Sequence, residues 1–165
     1  RLEGGELSIK KEVVLISSLC KDIATSMAAA MKSNGVTFRT ILKDNSTLTL
    51  ETDKELLKNI LDCFLSNALN FSKAGQEILF NCEAEDENLV FSVHDSGIGI
   101  PKEEQKRVFE RFYRASNAKA LKPGGTGLGL YIASVLAEKI GGKISFESEE
   151  GKGSTFYVRV PKGRS

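Results

Sequence analysis

Leu89-Val90-Phe91-Ser92-Val93-His94-Asp95-Ser96-Gly97-Ile98-Gly99-Ile100-Pro101 is an apolar strand that ends on an acidic side chain and runs into glycines. A carboxylate at a strand end can accept a hydrogen bond from an exocyclic amine. The glycines Gly97 and Gly99 let backbone approach a flat or anionic ligand with no Cβ in the way. About 25 residues on, Gly124-Gly125-Thr126-Gly127-Leu128-Gly129-Leu130 opens a helical pattern. Free N–H groups and the positive dipole end at such a helix start suit phosphates. Read together, the two stretches form a two-part nucleotide pocket. One glycine cluster alone reads equally well as ordinary turns, but two in this order after an acidic strand end point to a site. Neither G-x-x-x-x-G-K-[ST] nor G-x-G-x-x-G occurs, so a P-loop or Rossmann site is unsupported.

The 165 residues fit one domain with a full core. A formal charge of +1 leaves no broad field to attract nucleic acid or an anionic membrane, so binding must come from a local site. Cys20, Cys63 and Cys82 are odd in number and lack C-x-x-C spacing, which argues against a disulfide framework or a zinc site and for a reducing, cytoplasmic compartment. No apolar run approaches the roughly 20 residues that span a bilayer, and no signal peptide is read at the start. A start at Arg1 rather than methionine is read as an excised fragment, which leaves open a membrane segment elsewhere in the parent.

Helical periodicity from about Val13 to Lys32 places Ile16, Leu19, Cys20, Ile23, Met27, Ala30 and Met31 on one stripe, ended by Asn34-Gly35. Val36 to Leu42 and Thr47 to Glu51 flank Asp44-Asn45-Ser46 and read as a hairpin. Thr52 or Asp53 caps a helix that buries Leu57, Ile60, Leu61, Phe64, Leu65 and Ala68. Gln76 to Glu83 and Asn88 to His94 pair across a turn at Ala84 to Glu87. A short helix starts after Pro101 and runs towards Phe112, and Ala115 to Pro123 has no clear period and reads as a flexible lid. Leu128 to Ile140 is helical up to Gly141-Gly142, and Lys143 to Ser148 with Ser154 to Val160 closes the chain as a hairpin. The expected fold is α/β: a two-layer sandwich with a mixed sheet of about five strands and three main helices on one face.

On the first long capped helix, Cys63, Asn67 and Asn70 share a face offset from the leucine stripe. Taken alone, a mid-helix Asn is usually a solvated surface residue, Phe71 is core, and Arg111 and Arg114 are solvated. His94 is the only histidine, and strand alternation turns it away from Asp95.

Five blocks in order resemble the ATP-binding catalytic domain of sensor histidine kinases, a branch of the superfamily that includes gyrase, Hsp90 and MutL. They are Asn59 to Ser72, Asp95 to Pro101, Val108 to Arg114, Gly125 to Leu130 and, more weakly, Gly151 to Phe156. Residues 1–8 resemble the tail of a dimerisation helix and its connector, with residues 9–165 as the catalytic domain. The resemblance implies ATP and Mg²⁺ as cofactors, with Asn67 holding the metal and Asp95 selecting adenine. Phe71 lies beside the base, Ile100 belongs to the nucleotide-binding set, and Thr155 is a second polar contact to the base through water. Asn70, Gly97, Gly99, Gly125, Thr126, Gly127, Leu128, Gly129 and Leu130 complete the nucleotide site, and Arg114, less surely Arg111, reaches the γ-phosphate when the lid closes. It also implies that the phosphoacceptor is a histidine on a separate dimerisation domain upstream, that the parent is a homodimer, and that a response regulator receiver domain is the downstream partner. Gyrase-type relatives place a water-activating Glu four residues before the Mg²⁺ asparagine, where this chain has Cys63, which argues against ATP hydrolysis. Asn70 also departs from the lysine that many histidine kinases carry there. A protein serine kinase of the anti-sigma type and a non-catalytic nucleotide sensor remain as alternatives.

Overall fold

The computed structural model describes residues 2–3, 6–42 and 48–163. Its main sheet has five strands: β4 (Thr37–Leu42), β6 (Glu77–Glu85), β7 (Asn88–Asp95), β8 (Lys143–Glu149) and β9 (Gly153–Pro161), in the order β4-β6-β7-β9-β8. Only β4 and β6 run parallel; the other neighbours are antiparallel. Helices α1 (Ile16–Ser33), α2 (Lys54–Phe71) and α4 (Gly129–Lys139) form the second layer, packed on β4, β7 and β8 respectively. Alternation along β9 shows why one face is chosen. Ser154, Phe156, Val158 and Val160 are buried, while Thr155, Tyr157 and Arg159 are half-buried on the other side. Phe64 of α2 meets Phe156 at 5.6 Å between ring centroids, joining the layers at their centre. Each such fully buried aromatic stabilises the fold by about 1.5–3 kcal/mol.

Asp53 caps α2, its Oδ1 accepting the Leu56 N–H at 3.1 Å, and its Oδ2 accepts the Lys10 N–H at 2.9 Å. One buried carboxylate thus satisfies a helix start and ties the preceding segment to it.

Four expectations are corrected. Residues 36–42 and 47–51 do not pair with each other: β4 lies parallel to β6, whereas β5 (Thr49–Thr52) pairs antiparallel with β3 (Glu12–Leu15). The expected turn at Asp44 to Ser46, with Thr47, lies outside the described residues. Apolar content marks a strand without naming its partner, and here α2 supplies the long crossover that a parallel pair requires. The first helix begins at Ile16, not Val13, because Val14 is buried on the small β3–β5 ladder while Val13 is 70% exposed, a period of two. The segment after Pro101 is a 3-10 helix over Lys102–Arg107. The lid carries a six-residue helix, α3 (Ser116–Leu121). Near the start, β1 (Leu2–Glu3) pairs with β2 (Glu6–Leu7); Arg1, Gly4 and Gly5 of the expected connector lie outside the described residues.

Candidate functional site

Residues brought from five places in the chain line a cavity of about 580 Å³ between α2, the end of β7, the lid and the start of α4. Helix α2 contributes Asn59, Asp62, Cys63, Ser66, Asn67, Asn70 and Phe71, which follow one another at three- and four-residue steps along its face. Its opposite stripe, Leu57 to Ala68, is buried in the core. The periodicity that packs the helix therefore also turns the asparagines to the cavity.

Asp95 ends β7 and is 3% exposed. Its Oδ1 accepts the Gly97 N–H at 2.9 Å. Burial pushes its carboxyl above the usual carboxylate range, against the pull of the Gly97 N–H, of His94 and of the Ser154 N–H. The glycine after it is demanded by packing: a Cβ on Gly97 would overlap the Phe71 carbonyl oxygen, so only glycine lets the loop pass beneath the end of α2. Gly97 itself does not line the cavity; Ile98, Gly99 and Ile100 do.

The lid side is held by hydrogen bonds. Glu104 accepts from the Tyr113 hydroxyl at 2.6 Å, from the Ser116 N–H at 2.9 Å and from the Ser116 hydroxyl at 2.7 Å. These contacts, Tyr113 foremost, hold its carboxyl below the usual range. Asn117 Nδ2 donates to the Gly99 carbonyl at 2.9 Å, joining α3 to the first glycine loop. Arg114 lines the cavity, and its Nη2 donates to the Ala118 carbonyl at 3.2 Å. Gly125 makes room for that guanidinium, since a Cβ there would lie 2.8 Å from Arg114 Cζ. Where the lid rejoins the body, Gly127 stands at φ +72° with its carbonyl accepting the Phe112 N–H at 3.0 Å.

Of the expected site residues, Asn67, Asn70, Phe71, Asp95, Gly99, Ile100, Arg114, Thr126, Gly127, Gly129 and Leu130 line the cavity. Gly125 and Leu128 are not among the residues that line it. Arg111 turns away towards the rings of Phe112 and Tyr131, at 5.6 and 5.7 Å. Phe109 packs edge-on to Phe146 and Phe156 in the core, while Phe112 is 65% exposed.

Thr155 is misplaced by one residue. Its hydroxyl meets His94 Nδ1 at 2.7 Å on the open face of the sheet. Ser154, paired in register with Asp95 and buried, faces the cavity instead. The signal was available in the sequence, because Ser154 shares the parity of Phe156 and Val158 on their strand. Asn117 and Tyr113 also line the cavity without having been singled out; only tertiary packing brings the lid helix there.

No group of three or more His, Cys, Asp or Glu able to hold a metal exists among the described residues. The amide oxygens of Asn67 and Asn70 suit a hard cation that keeps several waters and shares phosphate oxygens, so Mg²⁺ fits here as part of a nucleotide complex rather than in a cage of its own. Cys63 is no substitute for a catalytic carboxylate. Burial first, then the neighbouring Asp62, pushes its thiol up and keeps it protonated at neutral pH.

The fold and this cavity define a class. A profile of the histidine kinase-, DNA gyrase B- and HSP90-like ATPases matches residues 52–164, and the chain belongs to that family. Within it, relatives include a sensor histidine kinase and a sensor protein. The chain is 44% identical over 116 residues to the sensor histidine kinase WalK of Bacillus subtilis (strain 168), covering 69% of this chain and 19% of WalK. It is 33% identical over 164 residues to the sensor protein SrrB of Staphylococcus aureus (strain MRSA252), covering 98% of this chain and 27% of SrrB. The chain thus spans only 19% to 27% of the length of these two relatives. Full-length ShkA in complex with AMPPNP matches with a TM-score of 0.83 and 27% identity, over 96% of this chain and 32% of ShkA. The nucleotide-free catalytic domain of the histidine kinase ThkA matches at 0.80 and 25%, over 93% of this chain and 98% of that domain. The chain is an ATPase-family catalytic domain of the kind found in sensor histidine kinases. No helix among its described residues is long and apolar enough to cross a membrane.

Proposed function

We propose that this chain binds Mg·ATP and presents its γ-phosphate to a histidine on a separate dimerisation domain, as the kinase domain of a two-component sensor. The observation that carries the reading is Asp95, a buried carboxylate at the cavity wall whose backbone partners, the N–H groups of Gly97 and Ser154, leave acceptor capacity for a ligand amine. An adenine presents such an amine, whereas a 6-oxo purine presents a carbonyl that a carboxylate repels. Asn67 and Asn70 would hold the metal and triphosphate end, and Mg²⁺ would supply charge neutralisation there. Arg114, which lines the cavity just before the lid, would add a charge-assisted contact to the terminal phosphate. Catalysis would be mostly positioning. The acceptor histidine's own domain should supply any base, since the raised pKa of Cys63 makes it unfit for that role.

His94 is not the acceptor in this reading: it hydrogen-bonds Thr155 on the face of the sheet away from Asp95. The remaining partners, a response regulator receiver domain and a second copy of the parent, belong to the same proposal. So do the connector role of residues 1–8 and a cytoplasmic location.

The test is to mix the chain with γ-labelled Mg·ATP and a separately purified histidine-bearing dimerisation domain. The expected product is a phosphoprotein stable to alkali and labile to acid, which is the signature of phosphohistidine. Acid-stable label would support a serine kinase, and no transfer despite tight ATP binding would support a nucleotide sensor.

A further inference from the structure

Ser148, on β8, makes more hydrogen bonds than a strand serine needs. Its Oγ accepts the Ile100 N–H at 2.8 Å, donates to the Gly153 carbonyl at 3.1 Å, and lies 2.8 Å from Ser154 Oγ. Ser148 and Ser154 are register partners on neighbouring strands, so both hydroxyls stand on the cavity side of the sheet. Gln105 braces the same corner, its Nε2 donating to the carbonyls of Ile100 at 3.0 Å and Ser148 at 3.1 Å.

A serine hydroxyl has one proton and two acceptor lone pairs. The Gly153 carbonyl can only accept, so its contact takes the Ser148 proton. With that proton committed, the 2.8 Å contact between the two hydroxyls, which either oxygen could donate, is assigned to the proton of Ser154. Ser154 therefore spends its only donor on Ser148 and turns lone pairs alone towards the cavity, beside the Asp95 carboxylate that its N–H also contacts.

We infer that Ser148 is a positioning residue that holds Ser154 as a pure acceptor, so that Asp95 and Ser154 together select a ligand amine and reject a ligand carbonyl. This rests on the adenine-nucleotide reading above and deepens it. Without Ser148 the Ser154 hydroxyl is free to rotate and donate to a carbonyl, so the selection weakens even though Ser148 lies behind the residues that contact the base. The Ile100 N–H loses its acceptor in the same step, which loosens the first glycine loop for every ligand alike. Selectivity and affinity are thus separable readouts.

The experiment is calorimetric titration of the 165-residue chain with ATP and with ITP, which carries a 6-oxo group in place of the amine. Wild type, Ser148→Ala, Ser154→Ala and the double variant are compared. Ser148→Ala should lower the ATP-to-ITP preference roughly fivefold or more, the size of one ordinary hydrogen bond. In the Ser154→Ala background the same substitution should leave the preference unchanged, because the hydroxyl it orients is gone. Ser148→Thr, which keeps the hydroxyl, should retain the wild-type preference. If Ser148→Ala fails to fold, Ser148→Cys, with a weak donor and acceptor, carries the same comparison. Equal losses for ATP and ITP in Ser148→Ala, or an undiminished effect in the double variant, would overturn the inference. A wild-type chain that binds ATP and ITP equally would sink the adenine reading itself, a different result from either.

Discussion

Replacing Asp95 by asparagine tests the site at its most buried polar group. The carboxylate is 3% exposed and takes N–H donors from Gly97 and Ser154. An asparagine in the same rotamer gives its carbonyl oxygen to the Gly97 N–H in place of Oδ1, which puts its NH₂ where Oδ2 stood. A donor then meets the ligand amine where an acceptor stood. The loss is a charge-assisted hydrogen bond, about 1.5–3 kcal/mol, or roughly 10- to 150-fold in ATP affinity. Folding stability should change little, since the Gly97 N–H keeps its acceptor and a buried charge is removed. ITP should lose far less than ATP, because the new NH₂ can donate to its 6-oxo group. The pH dependence follows from the raised pKa. The folded-state value lies above the ordinary 3.8, so Asp95 favours folding fully below 3.8, and that contribution is lost as pH rises towards the folded value. Adenosine binding needs the ionised form and should weaken as pH falls through the same window. Asp95→Asn should remove the part of that pH dependence that lies above the acid range where the adenine ring itself takes a proton, with adenosine used to avoid titration of the phosphates. Calorimetry that showed unchanged ATP affinity, or equal losses for ATP and ITP, would refute the placement of this carboxylate against the base.

Asn67→Ala should weaken Mg·ATP strongly and leave adenosine nearly untouched, and equal losses for the two ligands would show damage to α2 instead of loss of a metal contact. Asn70→Lys should tighten ATP several-fold at low salt, by roughly 1 kcal/mol for a partly solvated contact, with less effect on ADP and a gain that fades as salt rises. An unchanged ATP affinity at low salt would mean that residue 70 does not face the phosphates. The Cys63 thiol, its pKa raised by burial and by Asp62, should alkylate slowly at neutral pH, and the isolated chain should release phosphate near the background rate. Rapid release abolished by Cys63→Ala would revive the hydrolytic reading. Hydrogen exchange in the lid should slow on binding an ATP analogue, most at Ser116 to Ala118, and full protection in the free chain would contradict a gating role.

What the sequence determined by itself is local. The leucine stripe of α2 set the phase of that helix, and the phase alone turned Asn67 and Asn70 to a common side. Asp95 followed by glycines was legible as a site because glycine is required where backbone passes under backbone, as Gly97 does beneath Phe71. The parity of β9 could have chosen Ser154 over Thr155, since period two is as local as period 3.6. Strand partnership was not local. Residues 36–42 and 49–52 carry the same apolar signature, yet one joins β6 through a helix-long crossover and the other joins β3. That choice is made by which faces the packed helices leave to be covered. The lid helix was hidden for a related reason: a six-residue helix is too short to show a period and is held by Glu104, twelve residues before its first turn, and by the Gly99 carbonyl. The electrostatics of Asp95 were least legible of all. Burial pushes its carboxyl up where α2, the loop after β7 and β9 meet, and burial of that kind exists only once the chain has closed around it.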